Sequence, residues 1–233
     1  MRFLANLVKS AAPAASYLAV LALALLALKI LVLNRWPASA TTVYELGLLG
    51  EAVLASVVAS YVFYLLVVHL KEVSDRAVVS PYINRHTNRV VGNCEHQIGD
   101  IGRAAGYSLS LETLTEQEVT AAFSKIAPYS PAPLVMGAIG NNANWLQYFD
   151  FQKNRTRESI ARIFGQLIYL DARRVSLLAE IDDCDHFSSI GHILHIPIRN
   201  TDLANFASSF FAYCEVCLEL KKYMIGQEGG RAL

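Results

Sequence analysis

The chain has 233 residues, of which 54% are hydrophobic, and its 20 basic and 20 acidic side chains give a formal net charge of zero. Balanced charge argues against nucleic acid as an obligatory partner, because phosphate binding calls for an excess of Lys and Arg. The averages blur two unlike parts: residues 1–70 carry four basic and two acidic side chains, whereas residues 71–233 carry sixteen and eighteen.

Residues 1–13 read as a short lead-in, with Phe3, Leu4 and Leu7 apolar and Pro13 suited to a first helical turn. Two apolar runs follow, Ala14–Leu33 and Gly47–Leu70. Each is long enough to cross a bilayer core of ~30 Å at ~1.5 Å per helical residue. The pair reads as a transmembrane hairpin over residues 14–70. Arg2 and Lys9 precede the first span, Lys71, Arg76, Arg85 and Arg89 follow the second, and the connection holds only Arg35. The positive-inside rule then puts both termini in the cytoplasm, with Trp36 and Tyr44 as interfacial aromatics on the far side. Ala38-Ser39-Ala40 resembles a signal-peptidase site, but the apolar run is too long for a signal core and a second span follows at once.

Two charges, Lys29 and Glu51, interrupt the apolar runs. In an antiparallel hairpin they fall at similar depth, so they are expected either to pair as a clip or to line a polar ring in an oligomer. Ala52, Ser56 and Ser60 recur every fourth residue, a small-residue helix-packing face that serves contact either between the two spans or between chains.

Residues 71–225 read as a cytoplasmic α-helical bundle, and residues 226–233 as a flexible tail. The second helix is expected to continue to Ser80 and stop at Pro81. A new pattern then runs through Ile83, Val90, Cys94, Ile98 and Ile101 to Gly102–Gly106. Thr115 to Glu118 is a capping box opening a helix with Val119, Ala122, Phe123 and Ile126 on one face. Pro128, Pro131 and Pro133 point to a loop, and Asn141–Asn144 to a cap for a helix starting near Trp145. Ile160 to Leu170 keeps helical spacing, with a break at Asp171. The last helix has the cleanest repeat, Leu203, Phe206, Phe210, Tyr213, Cys217, Leu220 and Met224, with Asn200 or Thr201 as its cap. No strand pattern stands out. The fold class is all-α.

Candidate chemistry is sparse. Cys184, His186, His192, His195, Cys214 and Cys217 suggest a zinc site, but their spacings match no zinc module, and Cys217 already has a core position. In a reducing compartment the four cysteines are expected to stay free. Asp182, Asp183 and Asp185 lack the ligand spacing and turn glycine of a calcium loop. Gly137-Ala-Ile-Gly140 has no following lysine for a phosphate loop, and Ser188 and Ser189 lack a nucleophile elbow. The expectation is a non-enzyme with no metal and no cofactor. Lys153, Arg155, Arg157, Arg162, Arg173 and Arg174 load the middle of the second part with positive charge. They form either a solvated or headgroup-facing helix surface or, through Arg155, Arg157, Arg162, Arg173 and Arg174, a candidate partner surface.

With a hairpin followed by a helical domain, the chain resembles the small two-span membrane effectors of bacterial anti-phage defence systems, including those carried beside retrons. The resemblance covers layout and includes no diagnostic motif, so it carries over no functional residue. It implies an inner-membrane protein, silent until triggered, that perturbs the membrane as a homo-oligomer. The lipid bilayer and a cytoplasmic regulatory protein would be its partners. Two other readings stay open: a membrane-anchored scaffold docking a cytoplasmic protein, and a small channel or transporter subunit.

Overall fold

Both apolar runs are helical. A computed structural model describes residues 13–35, 41–136, 140–193 and 199–231. Residues 1–12 of the lead-in, Trp36, Ala38-Ser39-Ala40, residues 137–139 of the glycine motif, His195 and residues 232–233 of the tail lie outside the described residues. The chain divides into two compact units, Met1–Val78 and Val79–Leu233.

In the first unit, α1 (Pro13–Leu31) and α2 (Thr41–Phe63) pack against each other, with a 3-10 turn Leu33–Arg35 after α1. Among the described residues, two helices are long and apolar enough to cross a membrane. The slimness of α1 is used on one side: Ala19 and Ala22 are buried, and Ala15, Ser16, Leu26 and Lys29 flank them at helical spacing. A π-helical segment, Tyr64–His69, follows α2. His69 is buried there, its ring stacked 6.1 Å from that of Tyr64. Nothing in the sequence pattern announced this segment.

Helix α3 (Leu70–Ala105) corrects the expected stop at Pro81, which lies inside it. Proline forfeits one backbone bond and crowds the preceding turn, at a cost of ~3 kcal/mol. Here the ring and Ala77, whose carbonyl it strands, are both exposed, so water can take the orphaned acceptor. Beyond the proline, buried Ile83, Thr87, Val90, Cys94 and Ile98 hold the helix by packing. Glycine stops it: Gly106 adopts φ 76° and the Tyr107 N–H donates back to the Gly102 carbonyl at 2.8 Å, a left-handed closure that a Cβ would strain.

The capping signals read true. Thr115 and Glu118 form a reciprocal box opening α4 (Glu116–Phe123). Asn144 and Gln147 do the same for α5 (Trp145–Phe164). Asp171 caps α6 (Ala172–Asp182), after a 3-10 turn at Leu167–Tyr169. α7 spans Asp185–Ile193.

The bundle is mostly helical, with one departure from all-α among the described residues: strands β1 (Pro131–Met136) and β2 (Asn141–Asn144) pair antiparallel. Its pairing is irregular between Pro131 and Val135, as suits a strand carrying prolines, which donate no ladder bond. Ala132 and Leu134 turn inward while Pro131, Pro133 and Val135 face out, an alternation too short to read in the sequence.

The last helix, α8 (Ala207–Arg231), begins later than expected. Asp202 rather than Asn200 or Thr201 accepts the Ala204 N–H at 2.9 Å, opening a 3-10 turn, Ala204–Phe206. Leu203 is buried and its N–H donates to the carbonyls of Phe123 and Ile126, which fixes the entry. The helix also runs on through Arg231 instead of fraying at 226. Intrahelical bonding continues past Met224, and the Gln227 amide reaches the Tyr223 hydroxyl at 3.0 Å.

Candidate functional site

The hairpin brings Lys29 and Glu51 together, Nζ to Oε2, at 2.5 Å. The pairing follows from antiparallel register: Ser16 and Tyr61, nearer the other end, share a hydroxyl–hydroxyl bond of 2.7 Å. The lysine stem passes beside Gly47, where a Cβ would lie 3.6 Å from Lys29 Cε, an ordinary contact distance. Inside a low-dielectric medium such a pair strongly offsets the penalty of either charge alone.

The side of α2 turned toward α1 carries Gly47, Glu51, Leu54, Val58 and Tyr61. Ala52, Ser56 and Ser60 lie on the other side and are exposed. The small-residue face is therefore not the contact between the two helices of this chain. Larger residues take that role, because the alanines of α1 already allow close approach.

The basic residues divide. Arg157 pairs with Asp182 at 3.0 Å, and Arg173 pairs with Glu219. Arg174 is buried, bonds Asn84 at 3.1 Å and lies over the Tyr223 ring. These three tie helices together. Lys153 is buried and pairs with Asp150 at 2.6 Å. Arg155 and Arg162 remain on the outer side of α5. Arg162 bonds Glu158 at 2.6 Å, and Arg155 has no ion pair among the described residues.

Of the candidate metal ligands, Cys214, Cys217 and His186 pack the core, Cys184 is half-buried and His192 is exposed. Cys94, Cys214 and Cys217 are buried, with the sulfurs of Cys94 and Cys214 3.7 Å apart. Burial pushes the Cys94 and Cys217 thiols well above their ordinary range and raises Cys184 to about 11, which makes them poor nucleophiles and poor ligands at neutral pH. His186 sits among Phe149, Phe187, Phe210 and Tyr213. Burial, with a smaller contribution from Lys153, drops its pKa to about 3, and its Nδ1 has no hydrogen-bond partner among the described residues. No group of three or more His, Cys, Asp or Glu among the described residues converges to hold a metal ion. Of the acidic trio, Asp182 is held by Arg157, Asp183 closes α6 and Asp185 opens α7. Gly140 takes φ 77°.

One polar cluster was not foreseen. The Asp100 carboxylate is buried, accepts from the Tyr148 hydroxyl through one oxygen and pairs with Arg103 through the other. Burial and the adjacent carboxylate push the Tyr148 hydroxyl far above its ordinary value. A cleft of about 350 Å³ beside it is lined by Asp100, Arg103, Pro131, Pro133, Asn142 and Trp145. With both oxygens engaged, Asp100 is a structural acceptor and not a free base. The only signal for it was an acidic residue on the apolar face of a helix.

No protein-family model, curated protein or solved structure matches the chain.

Proposed function

We propose that the chain is a two-span membrane protein whose hairpin perturbs the bilayer as an oligomer, as the resemblance to anti-phage membrane effectors implies. Both ends of the hairpin face the cytoplasm, and the helical unit receives a trigger or a regulatory protein. The observation that carries this reading is the division of labour on α2. One side closes the Lys29–Glu51 clip against α1, and the other presents Ala52, Ser56 and Ser60 outward. Such a stripe is what close helix–helix approach in lipid uses. Two serine hydroxyls also gain more from a neighbouring helix than from acyl chains.

A second reading, a membrane-anchored scaffold, is favoured by the clip itself. A hairpin whose charges are satisfied within one chain has what an anchor needs. Growth and membrane potential in bacteria expressing the chain from a tight inducible promoter separate the two readings. The effector depolarises cells, and Ser56→Leu, which blocks close approach without touching the clip, restores growth. Polarised, healthy cells with both chains, under phage challenge as well as at high expression, favour the scaffold.

A further inference from the structure

Helices α3 and α5 of the second unit run antiparallel. The Tyr148 hydroxyl donates to Asp100, and the Asn93 amide donates to the Thr156 hydroxyl at 3.3 Å. Continuing that register brings Arg162 of α5 beside His86 of α3, between Arg85 and Arg89. The electrostatics agree. Burial lowers the pKa of His86, and the charges of Arg89, Arg162 and Arg85 lower it further, opposed by Glu158 alone. Arg85 and Arg89 are exposed and make no ion pair among the described residues. Glu158 is the ion-pair partner of Arg162 at 2.6 Å, so the local excess of positive charge, on a chain that is neutral as a whole, comes from Arg85 and Arg89.

At this same end of α5 lies the turn Leu167–Tyr169. It is held by bonds of 3.0 Å from the Tyr169 N–H to the Gln166 carbonyl and from the Leu170 N–H to the Leu167 carbonyl. Tyr169 and Leu170 pack against the core, but Leu167 is 55% and Ile168 81% exposed. A lone exposed aliphatic side chain is ordinary. Two in succession, held outward by a fixed turn on the side of the unit that carries the unpaired Arg85 and Arg89, set apolar and basic groups together as anionic bilayer surfaces require.

We propose that this turn is an interfacial foot. Leu167 and Ile168 enter the headgroup boundary of an anionic phospholipid leaflet while Arg85, Arg89 and Arg162 bind the lipid phosphates. The occupant is lipid and not a second copy or another protein, because the arginines supply the complement of an anionic surface and the chain carries its own apolar hairpin. The inference rests on the membrane reading of that hairpin.

The test uses the full chain in nanodiscs, in a Cys184→Ser background, with an environment-sensitive fluorophore at Ile168→Cys or at Val53→Cys on the outer side of α2. The expected result is quenching at both positions by brominated phosphatidylglycerol. Quenching at 168 alone should fall when brominated phosphatidylcholine is the only lipid, and also with Arg85, Arg89 and Arg162 changed to Gln in phosphatidylglycerol, each lost charge weakening docking about fivefold. Quenching at 53 but not at 168 overturns the foot and leaves the hairpin reading intact. Absence of quenching at both positions overturns both. A label at 168 shielded from iodide yet untouched by brominated lipid shows that protein covers the turn, which also overturns the proposal.

Discussion

Replacing Glu51 with Gln leaves the Lys29 ammonium in an apolar hairpin with a neutral neighbour in place of its counterion. An unpaired lysine at the centre of a spanning helix costs roughly 2.5–3.5 kcal/mol on insertion scales. Lys29 lies two residues before the end of α1 at Leu31, and its long stem passes over Gly47, so snorkelling toward the interface recovers part of that cost. We therefore expect Glu51→Gln to destabilise the hairpin by about 2 kcal/mol. Lys29→Met alone strands the carboxylate, which has a shorter stem, and should cost somewhat more. The double variant removes both charges and should return to within about 1 kcal/mol of the parent, as buried ion pairs replaced by apolar groups commonly do. The assay is a double-mutant cycle on unfolding of the full chain in mixed micelles. The reasoning fails if the two single effects simply add, because the 2.5 Å contact would then carry no coupling.

Three further outcomes follow from the second unit. His186 is held neutral with a pKa of about 3, against 6.5 in the unfolded chain, so the unfolded state binds the extra proton between those values. Stability is thus full above pH ~6.5 and falls with acidification by up to ~1.4 kcal/mol per pH unit until about pH 3. His186→Leu should flatten that part of the profile, as followed by Trp145 fluorescence in a Trp36→Phe background. Tyr148→Phe deprives the buried Asp100 carboxylate of one donor and should cost about 1–2 kcal/mol in thermal or denaturant unfolding. Asn144→Ala breaks the reciprocal cap of α5 and should cost about 1 kcal/mol, whereas Asn141→Ala, an exposed strand position, should be near neutral.

Local chemistry was the legible part of this fold. Thr115, Asn144 and Asp171 cap helices through bonds to residues three positions away, so the sequence alone contains the whole interaction. The repeat from Leu203 to Met224 is long enough for its burial to be read from spacing. Pro81 misled because propensity is local, whereas the packing of Ile83 to Ile101 that overrides it is tertiary. The strand pair within residues 131–144 was invisible for the opposite reason, since its six- and four-residue strands are too short for alternation to register. The pairing of Lys29 with Glu51 followed from equal depth in an antiparallel hairpin. The orientation of Ala52, Ser56 and Ser60 did not, because the small residues of α1 were enough for close approach and left that stripe unused. The basic residues were legible as a set but not as a surface. Only the register of α3 against α5 joins Arg162 to Arg85 and Arg89, and only the acids on facing elements withdraw Arg157 and Arg173.

The central claim is a hairpin that crosses the membrane twice and returns the helical unit to its starting side. Labelling with a membrane-impermeant maleimide in cells with a permeabilised outer membrane tests it directly, using Ser39→Cys in the connection and Ser108→Cys in the exposed turn after α3. The expected result is labelling at 39 in intact cells and at 108 only after lysis. Labelling at both positions before lysis, or at neither, would contradict the hairpin.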